Sequence, residues 1–222
     1  MNTDESMTET TIIIIRHGET QWNIKGRWQG HLNSELTDCG VEQAEAAGQG
    51  LMNYQFSRIY SSDLGRAVQT ADIISEITQK KIIFDKRLRE RNLGIFQGLT
   101  MPEMGHQYPE EFQKFSSLDP DFIIPGGESA RQVVNRSTEC FFNIANNHDG
   151  ETIVVVTHGG ILSSFLRHVL GIPFSTPRKF KIWNASINIF VYQNHQFEVH
   201  TFGNTHHLNR IDTLDEETTP MP

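Results

Sequence analysis

Residues 12–20 have the sequence Ile-Ile-Ile-Ile-Arg-His-Gly-Glu-Thr, and this stretch constrains the fold more than any other part of the chain. Four consecutive β-branched residues without a breaker predict a strand that is buried on both faces. Arg16 and His17 follow where that strand ends. In an open α/β sheet, ligands bind in the crevice beyond the carboxyl ends of the strands. We therefore expect Arg16 and His17 to lie at a functional site.

A second apolar run ends in the same way much later in the chain. Residues 152–157 have the sequence Thr-Ile-Val-Val-Val-Thr, and His158 follows them directly, before Gly159 and Gly160. A single histidine in such a position is most often a hydrogen-bonded turn residue. Two histidines at the ends of two buried strands favour a shared site instead.

Strand and helix patterns alternate between these two runs and after them. Helices are predicted over 38–52, 64–77, 127–146 and 161–170, and further strands over 58–61, 81–84, 187–192 and 197–201. Thr37 is placed to cap the first helix, and Gly171 is placed to end the last. The final two strands are close enough to form a hairpin. Alternation of this kind predicts an α/β fold with a mainly parallel sheet covered on both faces.

The segment 100–124 is less regular than the rest. Pro102 and Pro109 divide its first part into short helical pieces. We expect this segment to be a lid or a substrate-facing insertion.

Length and composition narrow the class of protein. A chain of 222 residues is within the range of one α/β domain, and its net charge of −8 argues against a nucleic-acid or anionic-membrane surface. An anionic substrate would therefore depend on a local cluster of arginines. No stretch has the roughly 20 apolar residues of a membrane span, and the first residues lack the features of a signal peptide, so a cytoplasmic protein is expected. Cys39 and Cys140 lie inside helical patterns, which disfavours a disulfide framework.

Both ends of the chain have too little apolar content to pack well. The first nine residues are mostly polar, and the segment 212–217 contains four acidic residues. We predict flexible tails over residues 1–10 and 209–222, with a single domain over 11–208.

Six sequence motifs, two of them the strand ends described above, occur in a fixed order. They are Arg16-His17-Gly18-Glu19-Thr20 with Trp22-Asn23, Gln29-Gly30-His31, Ser61-Ser62-Asp63-Leu64-Gly65-Arg66-Ala67, Leu88-Arg89-Glu90-Arg91-Asn92-Leu93-Gly94, Pro125-Gly126-Gly127-Glu128-Ser129 and Thr157-His158-Gly159-Gly160. Together they resemble the motifs of the histidine phosphatase superfamily, also called the phosphoglycerate mutase-like family. The resemblance covers about residues 12–208. It implies a three-layer α/β/α sandwich with a mainly parallel central sheet.

The resemblance also implies roles for individual residues. The catalytic group would be His17 as the phosphoryl acceptor, Glu90 as proton donor and acceptor, and His158. The phosphate-binding group would be Arg16, Asn23, Arg66, Gln29, Gly30 and Gly159. Neighbouring arginines suit this chemistry because they disfavour a charged imidazole and hold the phosphate. No metal and no cofactor is expected.

Glu128 is the carboxylate that competes with Glu90 for the proton-transfer role. It follows two glycines and stands at the start of a predicted helix. A carboxylate there has favourable electrostatics with the first turn, so we expect a structural role for Glu128.

Three functions are compatible with these motifs. The first is a phosphomonoester hydrolase acting on small phosphorylated metabolites, and the second is a phosphoglycerate mutase. The third is an inactive phosphate-binding scaffold, which the presence of His17, Glu90 and His158 disfavours. Glycolytic mutases usually carry a basic insertion that holds the substrate carboxylate, whereas residues 101–121 contain one lysine, Lys114, and five acidic residues. The phosphatase is therefore preferred, with a small phosphorylated substrate, no nucleic-acid or membrane partner, and a possible homodimer.

Overall fold

The computed structural model describes residues 8–209 and 211–215, and within these ranges six strands form one sheet. The strands are β1 (Thr10–Arg16), β2 (Ile59–Ser61), β3 (Ile82–Phe84), β4 (Thr152–Thr157), β5 (Ile187–Gln193) and β6 (Gln196–Asn204). They are ordered β3-β2-β4-β1-β5-β6. The pairs β3–β2, β2–β4 and β4–β1 are parallel, whereas β1–β5 and β5–β6 are antiparallel. The predicted mainly parallel sheet is thus confirmed.

The helices agree with the sequence pattern to within a few residues. They are α1 (Gln21–Ile24), α2 (Asp38–Leu51), α3 (Gly65–Thr78), α4 (Met101–Gln107), α5 (Pro109–Ser116), α6 (Ala130–Asn146) and α7 (Gly159–Leu170), with short 3-10 turns at Lys86–Leu88, Gly94–Phe96 and His206–Leu208. Thr37 caps α2 by accepting a hydrogen bond from the amide of Gly40, as predicted. Helix α6 begins three residues later than predicted because Ser129 is its cap. Gly171 ends α7 in the left-handed conformation with φ of 64°.

The isoleucines of β1 are completely buried, and they alternate between two hydrophobic layers. Ile12 and Ile14 pack in a cluster with residues of α6 and α7, while Ile13 and Ile15 pack in a cluster with residues of α2 and α3. Full burial of such a side chain contributes about 1.5–3 kcal/mol to folding. The predicted three-layer α/β/α arrangement follows from this alternation.

Strands β1 and β4 end at the same edge of the sheet. Arg16 pairs with Thr157 in their parallel register, and the amide of His17 donates to the carbonyl of Thr157 at 2.9 Å. The residues that follow β1 and β4 therefore leave the sheet side by side. His17 and His158 are brought together by this register, as the two apolar runs predict.

The final hairpin is also confirmed, because β5 and β6 pair antiparallel across a two-residue connection. Asn194 and His195 both have positive φ, at 52° and 60°. This is the backbone conformation that a tight hairpin turn requires.

Segment 100–124 forms α4, α5 and the chain after them, with a small apolar core of its own. Phe115 lies at the centre of this core and is 1% exposed. Its ring contacts the ring of Trp28 edge-on at 5.9 Å between centroids, and the guanidinium of Arg91 lies 5.5 Å from the Phe115 ring centre. The segment therefore supports Trp28 and Arg91 from behind, a buttressing role that differs from the expected substrate-facing insertion.

The predicted tails need correction at their inner ends. Thr10 already belongs to β1 and is buried. At the other end, Ile211 packs against the hydrophobic cluster that β1 shares with α2 and α3. The carbonyl of Leu214 accepts a hydrogen bond from the amide of Asn184 at 3.0 Å. We call residues 211–215 the C-terminal strap. These residues are held by backbone hydrogen bonds that the local sequence does not reveal, and the remainder of both predicted tails lies outside the described residues.

Cys39 and Cys140 are both free thiols, with Cys140 buried. Among the described helices, none is long and apolar enough to cross a membrane.

Candidate active site

His17 is held in one neutral tautomer by two partners. Its Nδ1 lies 2.8 Å from the carbonyl oxygen of Gly18, which can only accept a hydrogen bond. Its Nε2 accepts a hydrogen bond from Nε of Arg66 at 3.2 Å, and a guanidinium can only donate. The proton therefore resides on Nδ1, and the lone pair of Nε2 faces Arg66.

Burial lowers the pKa of His17 well below its usual value, and the charges of Arg66 and Arg16 lower it further. The pKa of His158 is lowered in the same way, first by burial and then by Arg66 and His17. The two rings lie 5.3 Å apart between centroids. Both imidazoles are thus neutral at physiological pH, which extends the sequence argument that arginines keep His17 uncharged.

Arg66 is fixed at the start of α3 and is 1% exposed. Beyond its contact with His17, its Nη2 donates to the carbonyl of Gly30 at 2.9 Å and its Nη1 to the carbonyl of Leu32 at 3.0 Å. Gly30 has a φ of 53°, and a Cβ at this position would lie 2.6 Å from Oε1 of Gln97. Gly30 therefore permits the tight turn whose carbonyl holds Arg66.

Arg16 directly precedes His17 in the chain and, like Arg66, is 1% exposed. Its Nη1 donates to the carbonyls of Ile182 and, at 3.3 Å, Leu214. These contacts join the end of β1 to the C-terminal strap. The phosphate contact that the motif resemblance implies for Arg16 stays a prediction.

Glu90 is 8% exposed and its carboxylate is held by two backbone amides. The amide of Arg91 donates to Oε1 at 2.7 Å, and the amide of Gly160 donates to Oε2 at 2.9 Å. A Cβ on Gly160 would lie 2.3 Å from Oε1 of Glu90. A glycine at position 160, in the first turn of α7, is thus required for this carboxylate position.

Thr20, Asn23 and Gln29 form a hydrogen-bond chain whose direction is fixed by the backbone. The amide of Thr20 donates to Oδ1 of Asn23 at 3.0 Å, and the Thr20 hydroxyl donates to the same oxygen. Thr20 Oγ1 can then only accept, and Nε2 of Gln29 donates to it at 2.8 Å. Oε1 of Gln29 is consequently the atom left over, and it is buried without a partner among the described residues. An acceptor oxygen disfavours the predicted phosphate contact of Gln29.

His158 precedes the first residue of α7 and is fully buried. Its Nε2 lies 2.8 Å from Oγ of Ser62, while its Nδ1 is buried and lacks a partner within the described ranges. Gly159 is the first residue of α7. The role of His158 at the site therefore stays a prediction.

One cavity brings most of these side chains together. Its wall includes His17, Asn23, Gln29, Gly30, Arg66 and Glu90. Trp22 and Trp28 add apolar surface, and Asp215 of the C-terminal strap closes one side. Arg16, His158 and Gly159 are not part of this wall as the structure describes it, so their contact with a ligand stays a prediction.

Several residues at the site were missed by the sequence reasoning. His31 donates from its ring to the carbonyl of Glu90 at 2.8 Å, and Arg136 donates to the same carbonyl at 2.9 Å. Arg136 also forms an ion pair with Glu128 at 2.8 Å. Glu128 has the expected structural role, although its partner is Arg136 instead of the first helical turn. His31 lies in a quoted motif, but neither Arg136 nor Asp215 has a sequence signal that points to the site.

Although burial alone would raise it, the hydrogen bonds from Arg136 and from the amide of Asn92 hold the pKa of Glu128 below its usual value. Glu128 is therefore committed to the charged form. No cluster of potential metal ligands occurs in the described part of the chain.

The lowered pKa values of His17 and His158 predict a loss of stability in mild acid. Both rings stay neutral in the folded state but become protonated in the unfolded chain below pH 6.5, so the unfolded state binds more protons and stability falls as the pH falls. Each buried histidine contributes a slope of about 1 kcal/mol per pH unit between pH 6.5 and 5.5, because the imidazole of the unfolded chain is only partly protonated at the upper end of this window. The slope is obtained from urea unfolding at pH 6.5 and 5.5.

His158→Gln should reduce this slope by about 1 kcal/mol per pH unit. The matched control is His200→Gln, since His200 is exposed on β6. An unchanged slope in His158→Gln would show that this histidine is not kept neutral by folding.

Comparisons with known proteins agree with this arrangement. The profile of the histidine phosphatase superfamily (branch 1) matches residues 12–205. The chain is 39% identical over 214 residues to phosphoglycerate mutase-like protein 4 from Arabidopsis thaliana, covering 95% of this chain and 92% of that protein. It is 35% identical to a metal-independent phosphoserine phosphatase from the same plant, covering 92% and 86%. The solved structure of Bacillus stearothermophilus YhfR superimposes with a TM-score of 0.82 at 32% identity, covering 90% of this chain and all of that one.

Proposed function

Because this chain belongs to branch 1 of the histidine phosphatase superfamily, we propose that it hydrolyses phosphomonoesters of small metabolites through a phosphohistidine at His17. The observation that carries the proposal is the state of His17. Its ring is neutral, its proton is on Nδ1, and the Nε2 lone pair lies at the wall of a cavity beside Arg66. A neutral imidazole with a defined tautomer is the form that attacks phosphorus.

In the first half-reaction, Nε2 of His17 forms a bond to phosphorus while the ester P–O bond breaks and its electron pair stays on the leaving oxygen. As the Nε2 lone pair forms the bond to phosphorus, the hydrogen bond that Nε–H of Arg66 donates changes its acceptor from Nε2 of His17 to a phosphoryl oxygen. Charge on the three equatorial oxygens dominates the transition state, so a planar guanidinium at this position gives direct stabilisation. Arg16, Asn23 and His158 would bind the remaining oxygens, as the motif resemblance implies.

Glu90 supplies the proton that the leaving oxygen needs. Each of its oxygens accepts one backbone hydrogen bond, which leaves a second lone pair on each for a proton. After the alcohol departs, the same carboxylate removes a proton from water as the water oxygen attacks phosphorus. The P–N bond then breaks and its electron pair returns to Nε2, which restores the starting state.

A phosphoglycerate mutase is the second candidate because several of the relatives are described as phosphoglycerate mutases or as mutase-like. A mutase must hold the glycerate carboxylate while the phosphoryl group returns. Arg27 and Arg91 are the cavity arginines outside the phosphate site, yet Arg27 is paired with Glu103 at 2.8 Å and Arg91 donates to the carbonyl of Glu128 at 3.0 Å. Both guanidinium groups are already engaged, which favours hydrolysis.

The expected result with 3-phosphoglycerate is release of inorganic phosphate without formation of the 2-isomer. Phosphorus NMR of the reaction distinguishes the two products directly. A parallel panel of phosphorylated metabolites would establish the range of substrates. Rapid isomerisation without phosphate release would contradict the hydrolase assignment and favour the mutase.

Two related expectations stay predictions. They are the cytoplasmic location and the possible homodimer.

A further inference from the structure

The guanidinium of Arg136 is fully engaged within the protein. Its Nε and Nη2 donate to the two carboxylate oxygens of Glu128 at 2.8 and 2.9 Å. Its Nη1 donates to the backbone carbonyls of Arg87 at 2.8 Å and Arg89 at 2.7 Å, and its Nη2 also donates to the carbonyl of Glu90 at 2.9 Å. A guanidinium has five N–H donors, and here each of them has an acceptor. The contacts of Arg136 therefore converge on one carboxylate and on the backbone that leads to Glu90.

The segment that carries Glu90 has no regular secondary structure to hold it. Residues 89–93 lie between two 3-10 turns and belong to neither a helix nor a strand. The backbone carbonyls of such a segment depend on side chains for the hydrogen bonds that a helix or a sheet would supply. Arg136 of α6 binds two of these carbonyls, and the ring of His31 donates to the carbonyl of Glu90 at 2.8 Å as well. The backbone at Glu90 is thus held by side chains from two other parts of the chain.

The peptide unit between Glu90 and Arg91 connects these contacts to the carboxylate of Glu90. Its carbonyl is the one that Arg136 and His31 bind, and its N–H donates to Oε1 of Glu90 at 2.7 Å. A trans peptide unit is planar, so its carbonyl and its N–H turn together and point in opposite directions. Holding the carbonyl therefore fixes the direction of the N–H that binds the carboxylate.

Glu128 fixes Arg136 and holds the same segment further along the chain. The side chains of Arg136 and Glu128 are largely buried, at 20% and 22% exposure, and their ion pair is bidentate, which sets the plane of the guanidinium. Oε2 of Glu128 also accepts from the amide of Asn92 at 2.8 Å, and the amide of Glu128 donates to the carbonyl of Asn92 at 2.9 Å. A lysine ammonium has three donors and no fixed plane, so positive charge alone does not reproduce this arrangement.

We propose that Arg136, fixed by Glu128, is a positioning residue for proton transfer, because it orients the peptide unit whose N–H holds the carboxylate of Glu90 on the cavity wall. Glu90 lines the cavity, whereas Arg136 is not part of its wall as the structure describes it. Arg136 therefore acts through Glu90 and not on the substrate. This role rests on the proposed hydrolase function, in which Glu90 supplies the proton for the leaving oxygen.

Arg136→Lys tests this role because it keeps the charge but loses the planar set of five donors. We expect the ratio of kcat/KM for propyl phosphate over 4-nitrophenyl phosphate to fall about 10- to 100-fold, since a displaced acid slows the substrate whose leaving group needs a proton. In a Glu90→Gln background the same substitution should leave the ratio unchanged, because the group that Arg136 positions is already absent. Glu128→Gln weakens the bidentate pair and should lower the ratio in the same direction. If Arg136→Lys does not fold, Glu128→Gln decides.

Arg131→Lys is the matched control, because Arg131 lies on the same helix and forms an exposed ion pair with Asp121. It should leave the ratio unchanged. An equal loss on both substrates in Arg136→Lys would overturn the proposal and leave Arg136 with a role in stability only. A fall of the ratio by the same factor in the Glu90→Gln background would also overturn it.

A measurement without turnover separates this role from the proposed function. The amide of Gly160 donates to Oε2 of Glu90 and belongs to α7, so its proton resonance reports the position of the carboxylate. In protein labelled at glycine nitrogen, this resonance should move upfield in Arg136→Lys, as a longer hydrogen bond predicts, and stay in place in Arg131→Lys. If the wild type releases phosphate from neither substrate while this shift is observed, the hydrolase assignment fails and Arg136 still positions Glu90. If phosphate is released and neither the ratio nor the resonance changes in Arg136→Lys, the positioning role alone fails.

Discussion

His17→Ala is expected to lower phosphatase activity on the order of 10⁴-fold or more, because the variant lacks the atom that accepts the phosphoryl group. The measurement is rapid quenching with labelled substrate, in which the wild-type protein should carry the label in an acid-labile, base-stable form typical of phosphohistidine. The variant should carry none. Arg66 and Glu90 remain in the cavity, so any residual rate reports the site without its nucleophile.

The control for this experiment is His200→Ala, which removes an exposed histidine on β6. It should label and turn over like the wild type. Circular dichroism of His17→Ala checks that the sheet has formed, since His17 directly follows β1, which pairs with both β4 and β5. Label trapped equally well in His17→Ala would assign the nucleophile to another residue.

The position of His17 could be predicted because it depends on local patterns alone. Four buried isoleucines specify a central strand, and parallel strands end at one edge, so two histidines that follow two such runs are neighbours. The caps at Thr37 and Gly171 likewise depend on only a few adjacent residues. These elements follow from side-chain period and backbone preference, which act within one turn or one strand.

The electrostatic detail of the site could not be predicted in the same way. The carboxylate of Glu90 is bound by the amide of Gly160, seventy residues later in the chain. Asp215 returns to the cavity through backbone hydrogen bonds of an acidic segment whose composition predicts a flexible tail. Which atom Gln29 presents depends on three linked hydrogen bonds. Contacts of this kind depend on tertiary distances and on backbone groups. Because every residue has the same backbone groups, the sequence does not indicate which of them will make the contact.

Glu90→Gln is expected to slow the hydrolysis of alkyl phosphates by roughly 10²- to 10⁴-fold, because the leaving alkoxide then receives no proton. An aryl phosphate with a very acidic phenol needs no such proton and should retain far more activity. The amide also places an NH₂ group against the amide of Arg91 or Gly160, so some displacement of the side chain is expected. The readout is therefore the ratio of kcat/KM for aryl and alkyl phosphates, since displacement alone affects both.

Gly160→Ala tests the same role while the carboxylate remains. The added Cβ would lie 2.3 Å from Oε1 and 2.9 Å from Cδ of Glu90, so the carboxylate must move away from its present position. We expect alkyl phosphates to lose activity more than aryl phosphates, as in Glu90→Gln. Gly105→Ala is the matched control because its Cβ would meet Phe112 at an ordinary 3.4 Å. Equal loss on alkyl and aryl substrates in both Glu90→Gln and Gly160→Ala would leave Glu90 a structural role only, because a proton donor matters in proportion to the basicity of the group that departs.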